Sequence, residues 1–276
     1  MTGSLESHKA PVSVVVPCHR CGATIDRAVT SIAAQTLLPA EVVLVEDGSR
    51  DGTLAHLHAL AAAHAPGWIR IVALPENRGA ADARNAGWAA ATQTYIAFLD
   101  ADDAWHPRKI ELQYGYMSAH PEVALCGHGY EMRSTPEIPH TLVSDADASR
   151  LSRLSLLLSN RLVTPTVMLN RALPHRFHPG RRHVDDHLLW LQIQRAGLAV
   201  TMLSAVLTYV YKPMYGASGL SSQMWEMEKA ELENYQILRR EGSIGLAAAL
   251  ALCAWSIAKF ARRLVLVTLH RAQRLF

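Results

Sequence analysis

The sequence predicts an α/β fold, a mainly parallel central sheet flanked by helices, followed by a C-terminal helical extension. Three observations predict it. Up to residue 106, short apolar runs alternate with stretches of helical periodicity, the rhythm of right-handed βαβ units. The runs are apolar almost without interruption, as in strands covered on both faces. Three of them end in polar clusters, PCHRCG, EDGSRDG and DADDAW, and ligands of parallel sheets bind beyond such strand ends.

The elements follow in order. VSVVV (12–16) is a buried-strand run, and residues 24–35 read as a helix with Ile25, Ala28, Val29 and Ile32 on one face. EVVLVE (41–46) is a second strand. SRDGTLAHLHALAAAH is a turn feeding a helix, with Ser49 or Asp51 as its cap. WIRIVAL (68–74) is a third strand, NRGAADARNAGWAAA a turn and Ala-rich helix, and TYIAFL (94–99) a fourth strand. Beyond 106 the rhythm loosens. A helix over 107–120, a strand in EVALCGHGYEM, a loop over 134–147, a helix over 149–159 and a strand over 164–169 are expected. Residues 183–197 form a helix that Gly197 ends, and 221–241 form a charged amphipathic one.

The C-terminus differs. Residues 244–258 (IGLAAALALCAWSIA) are apolar on all sides and precede Lys259, Arg262, Arg263, His270, Arg271 and Arg274. This run falls short of the roughly 20 residues a bilayer-spanning helix needs. Peripheral contact with a membrane surface through 244–276 is expected first, packing on the domain or in a homodimer next, and a true span last.

Of the 276 residues 50% are hydrophobic and 18% charged, a globular composition. A net charge of +3 argues against nucleic acid as a partner of the whole protein. Four cysteines are too few for a disulfide framework, and the polar residues 1–11 give no signal peptide, so a cytoplasmic location is expected. Cys18 and Cys21 have CxxC spacing. A zinc ribbon needs a second pair, which leaves a structural role or a two-ligand metal or redox pair.

The chemistry concentrates in FLDADDAW. Asp100, Asp102 and Asp103 crowd the end of an apolar strand, where their repulsion needs an offset. Hard oxygen ligands suit Mg²⁺ or Mn²⁺, which also bind phosphate oxygens. The competing use is a cap, by Asp102 or Asp103, for the helix beginning near Pro107. A dehydrogenase fails because no GxGxxG follows the first strand.

Taken together, VSVVVPCHRCG through EVVLVEDGSRDGT, ENRGAADARNAG, FLDADDAW and VDDHLLWL resemble, in this order, the inverting glycosyltransferases of family 2, with the GT-A fold, a Rossmann-like nucleotide-diphospho-sugar transferase architecture. The resemblance implies a tail over 1–10 and a catalytic domain over 11–212. Within that domain 11–106 would bind the nucleotide-sugar and 107–212 the acceptor, with 213–276 as the extension. It implies transfer of a sugar, from a donor expected to be UDP-linked, to a hydroxyl of a glycan or lipid-linked acceptor. Without a multi-span membrane region, addition of a single sugar to a surface polysaccharide or lipid-linked glycan is expected, at the inner face of the cytoplasmic membrane. A protein or small-molecule acceptor, or a nucleotide-binding module without activity, are the alternatives.

The same resemblance assigns residues. Pro17, Cys18 and His19 form the base-binding edge, His19 standing where Tyr is frequent and Arg20 where Asn is usual. Asp47 matches the second acid of a DDGS motif, which accepts a uracil N–H, and Glu46 replaces the first. Arg78 and Arg84 contact base or diphosphate, and Asp82 a ribose or an arginine. Asp100 and Ala101 complete the nucleotide-sugar set. Asp102, with Asp100, holds Mn²⁺ or Mg²⁺. Asp185 and Asp186 match an acidic pair whose second member removes the acceptor proton, so Asp186 is the expected base and Asp185 the substitute. Trp190 lines the acceptor pocket or packs inward, and Arg176, Arg181, Arg182 and His183 hold phosphate or face water.

Overall fold

A computed structural model describes residues 9–135, 137, 143, 146–211 and 223–273, with side chains described as far as 265. The tail to residue 8, positions 136, 138–142 and 144–145 of the 134–147 loop, residues 212–222, and the side chains of His270, Arg271 and Arg274 lie outside the described residues.

The first half of the chain delivers its predicted rhythm: β1 (Ala10–Cys18), α1 (Ile25–Ala33), β2 (Pro39–Asp47), α2 (Thr53–Ala62), β3 (Ile69–Leu74), α3 (Ala80–Ala90) and β4 (Tyr95–Phe98). These strands pair in parallel in the order β3-β2-β1-β4. Alternation then sorts the side chains. Val12, Val14 and Val16 enter a core with α1 and α2, whereas Val15 faces α3 on the other side. Each fully buried valine contributes about 1.5–3 kcal/mol relative to an exposed one. A Cβ on Gly87 would stand 2.3 Å from Val15 Cγ1, so only glycine lets α3 lie this close to β1 and β2.

The second half adds β5 (Ala104–Trp105), α4 (Lys109–Ala119), β6 (Val123–Met132), β7 (Ala148–Arg150), α5 (Arg153–Leu158), β8 (Met168–Asn170), α6 (Asp185–Arg195) and β9 (Ala199–Val210). Beyond β4 the sheet runs β8-β6-β9-β5, with β7 on β9, and only the β6–β9 ladder there is parallel. Three local features depart from the sequence reading. Ser152 Oγ accepts from Ser155 N at 3.1 Å and starts α5 later than expected, leaving 148–150 to pair as a strand. Pro165 lacks an N–H for a ladder, so residues 164–166 form a 3₁₀ turn before β8. The 12-residue β9, which the sequence reading passed over, is the strand that β5, β6 and β7 share.

The extension is two helices, α7 (Met224–Arg240) and α8 (Leu246–Gln273), on the α6 side of the sheet. The all-apolar run begins a 28-residue helix. Ala249, Leu252 and Ser256 bury one stripe, while Leu246, Leu250, Ile257 and Val265 stay exposed. Among the described residues, no helix is long and apolar enough to cross a membrane.

Candidate active site

The β1 and β2 ends form the first part of the site. Asp47 closes β2 almost wholly buried, and its carboxylate accepts Arg78 N at 2.8 Å, Gly79 N at 2.9 Å and Asn77 Nδ2 at 3.0 Å. Gly48 permits this docking: its φ is +58°, and a Cβ would stand 2.4 Å from Asn77 N. Asp47 therefore shapes the turn that opens α3, and of its roughly four lone-pair sites three are used. His19 is exposed beside it, with Nδ1 2.8 Å from Asp47 O and 3.0 Å from Asn77 Nδ2. Glu46 Oε1 accepts Ser49 N at 2.6 Å. Pro17 is half-buried at this edge. Cys18 is wholly buried and its thiol donates to Val16 O, so only its backbone can meet a ligand. Hydrogen bonding to Cys21 and burial push the Cys18 thiol well up. Both cysteines sit free in the core beneath the edge.

The tip of β4 forms the second part. Asp103 N donates to Asp100 O at 3.0 Å, turning the chain, and β5 pins it again through Ala104 and Trp105 on Tyr209 and Thr208. The turn gathers Asp100, Asp102 and Asp103 so that one carboxylate oxygen from each lies within 4.8 Å of the others. Among the described residues this is the only such group of three potential ligands. Neither Asp102 nor Asp103 caps α4, which opens at Arg108 with no side-chain cap. Asp103 is buried and accepts Tyr211 N at 3.3 Å, which leaves Asp100 and Asp102 as the half-buried pair. An oxygen-rich set of this kind fits Mg²⁺ or Mn²⁺. Arg27 supports the turn: its Nη2 donates to Asp102 O at 2.5 Å and its guanidinium lies 3.8 Å from the Tyr211 ring centroid.

Arg84 joins this tip to the start of α6. Buried at 6% exposure, it donates from Nη2 to Asp100 Oδ1 at 2.8 Å and holds Asp185 Oδ2 at 3.6 Å from Nη1. Burial works against its charge, but Asp100 and Asp185 outweigh that. Both arms of the fork expected on a base or diphosphate thus face carboxylates. Burial pushes the Asp185 carboxyl up to about 6, with Arg84 pulling it down and Asp186 raising it. Among the described residues, Arg84 Nε and Asp185 Oδ2 are buried without a hydrogen-bond partner, so the Arg84–Asp185 ion pair offsets their desolvation.

Asp186 follows on the first turn of α6, less buried than Asp185. Oδ1 accepts His187 N at 2.7 Å and Asn160 Nδ2 at 3.2 Å, and Oδ2 accepts the Thr164 hydroxyl at 3.1 Å. It satisfies one helix N–H, as a cap would, yet is also held from across the site. Trp190 is core: wholly buried, it donates Nε1 to Leu162 O at 3.0 Å.

The basic loop before α6 divides. Arg176 donates to Leu173 O and His175 O, Arg181 to Ala230 O, and His183 pairs with Gln223. Arg182 is exposed and passes beside Gly79, 3.9 Å from where a Cβ would stand. Asp82, expected on a ribose or arginine, accepts Gly180 N at 2.8 Å and ties this loop to α3. Arg78 is half exposed, 3.7 Å from Glu76. Ala101 is buried between the two acids. Sequence reasoning missed Arg27, Asn77, Asn160 and Thr164. Only Asn77, inside the ENRG stretch, carried a local signal.

The family model described as Glycosyl transferase family 2 matches residues 13–173, more than half of the chain. The chain is 29% identical over 182 residues to the UDP-Glc:alpha-D-GlcNAc-diphosphoundecaprenol beta-1,3-glucosyltransferase WfgD of Escherichia coli, covering 66% of this chain and 69% of that one. It is 29% identical over 233 residues to the putative teichuronic acid biosynthesis glycosyltransferase TuaG of Bacillus subtilis (strain 168), covering 84% and 90%. Among solved structures, S. aureus TarS 1-349 in complex with UDP-GlcNAc superposes with a TM-score of 0.68 at 19% identity, over 89% of this chain and 71% of that one. The mannosyltransferase PcManGT from Pyrobaculum calidifontis, in complex with GDP-Man and Mn²⁺, gives 0.66 at 19% identity, over 98% and 82%. The fold is the GT-A fold, and the chain is a glycosyltransferase that belongs to glycosyl transferase family 2.

Proposed function

We propose that the protein transfers a sugar from a UDP-linked donor to a hydroxyl of a lipid-linked or growing surface glycan, with inversion and with Mn²⁺ or Mg²⁺ at Asp102 and Asp100. The observation that carries this reading is the Arg84 bridge. One buried guanidinium holds a carboxylate of the β4 tip and a carboxylate of the α6 acid pair, which supports donor and acceptor chemistry meeting at this junction.

In this reading His19 and the Pro17 edge lie against the base, and the remaining lone pair of Asp47 takes a uracil N–H. The diphosphate faces the opening of α3, where Arg78 and Arg182 meet its charge. A divalent ion at Asp102 and Asp100 would act as a Lewis acid on the diphosphate oxygens. Asp186 removes the acceptor proton as that oxygen attacks the anomeric carbon and the bond to the diphosphate breaks. Asn160 and Thr164 keep its carboxylate aimed. A second reading makes Asp185 the base, favoured by its carboxyl standing at about 6.

The lipid-linked acceptor is supported by the E. coli relative, whose name specifies a diphosphoundecaprenol-linked substrate. Contact with the inner face of the cytoplasmic membrane is supported by α8. Its exposed face is apolar, and beyond Glu241 the chain carries five Lys or Arg residues and no acid.

Thermal unfolding with UDP, GDP and dTDP, each with and without Mn²⁺, tests the donor half. UDP with Mn²⁺ is expected to stabilise the protein, by about 2.7 kcal/mol at a hundredfold excess over Kd. Asp102→Ala should lose the Mn²⁺-dependent part. No stabilisation by any nucleotide, or an unchanged response in Asp102→Ala, contradicts the reading.

A further inference from the structure

We propose that α7, which lies outside the catalytic sequence motifs, positions the acid pair, and that Asn234 is a positioning residue for the transfer step. The inference rests on the reading of Asp185 and Asp186 as the acceptor-side acids.

Val184, the residue just before the pair, has φ +52° and ψ +26°, the left-handed conformation that a β-branched residue strongly avoids. The surroundings must hold it there. The described partner of its carbonyl is Asn234 in α7, which donates Nδ2 to Val184 O at 2.9 Å from a wholly buried position. Asn234 Oδ1 is buried without a partner. The described hydrogen bond of the Asn234 amide therefore goes to the backbone of the strained residue, where it can hold the left-handed conformation.

The residue after the pair is fastened to the same helix. His187 is wholly buried, with Nε2 2.7 Å from Leu156 O and Nδ1 3.4 Å from Glu231 Oε2. Glu231 also accepts the Tyr235 hydroxyl at 2.9 Å and faces Lys259 of α8 at 3.8 Å. Burial would raise the Glu231 carboxyl, but the hydrogen bond and charge of His187 outweigh it and hold it at about 2. Asp185 and Asp186 are therefore bracketed at 184 and 187 by α7. The side chains that hydrogen-bond the Asp186 carboxylate are Asn160 and Thr164, so α7 acts through the backbone that aims the acids.

The test is steady-state transfer with UDP binding measured on the same samples. Asn234→Ala is expected to lower kcat by about tenfold or more, because small misplacements of a catalytic group are costly. KM for the donor and the affinity for UDP should stay near wild type. Asn234→Leu, of similar volume but without the donor, should behave alike and keeps the test open if the alanine variant folds poorly. Adding Val184→Gly to either should restore most of kcat, since glycine takes the left-handed conformation without an anchor. Wild-type kcat in the Asn234 variants, a loss of kcat that Val184→Gly does not restore, or a parallel loss of UDP binding overturns the proposal. Asp186→Asn and Asp185→Asn, run beside them, separate the two failures. Full transfer in both would sink the acid-pair reading itself, whereas their loss beside an unaffected Asn234→Ala would sink only the role of α7.

Discussion

Asp185 and Asp186 are neighbours in sequence with opposite surroundings. Asp185 is buried against Arg84 and its carboxyl stands at about 6; Asp186 is more open and rests on neutral donors. Their difference sets a pH dependence. An ionised Asp185 keeps Arg84 paired, so transfer should fall as pH drops through about 6 and level off above it. In Asp185→Asn that inflection should vanish from the pH profile of kcat/KM; an unmoved inflection assigns it to another group. Stability runs the other way. The folded protein binds this proton more tightly than the unfolded chain, so raising pH from the ordinary 3.8 to about 6 works against folding. At this scale the acids were legible because DADDAW and VDDHLLWL are short local patterns. Their supports were not. Arg27 meets Asp102 from 75 positions away and Asn160 meets Asp186 from 26, separations no local pattern encodes.

The same rule holds for whole elements. Helix α1 could be read because its buried face follows its own periodicity, and the parallel strands because they are apolar on both faces. β9 could not, because its role is set by the three strands that meet it. For α8 the sequence yielded an apolar run and the structure shows its use in part. One stripe packs inward, Trp255 Nε1 and Lys259 Nζ both donate to Leu158 O, and Leu250 and Ile257 remain 63% and 52% exposed. The exposed apolar face of α8, with Arg262 exposed beside it, is the surface proposed to meet an anionic lipid, where a basic residue near the membrane adds about 1 kcal/mol. Wild-type protein should therefore sediment with phosphatidylglycerol vesicles and much less with phosphatidylcholine. Leu250→Glu with Ile257→Glu should abolish this without lowering the unfolding temperature. Unchanged sedimentation would remove the membrane from the account. Substitution is the better probe than deleting α8, which would also expose the core that Leu252 packs into.

Across the whole molecule, a parallel half ending in β4 and a mixed half carrying α6 converge on one guanidinium. The sequence motifs carry no sign that Arg84 spends its fork on Asp100 and Asp185, or that Asn234 and Glu231 of α7 bond the residues flanking the acid pair. In the proposed function, a donor held at the β4 tip is attacked by an acceptor deprotonated at α6. Single-turnover transfer by Asp186→Asn, with UDP and Mn²⁺ affinity measured on the same preparation, tests it most directly. Affinity should be unchanged and the rate reduced by about 10²–10⁴. Transfer at the wild-type rate in that variant would contradict it.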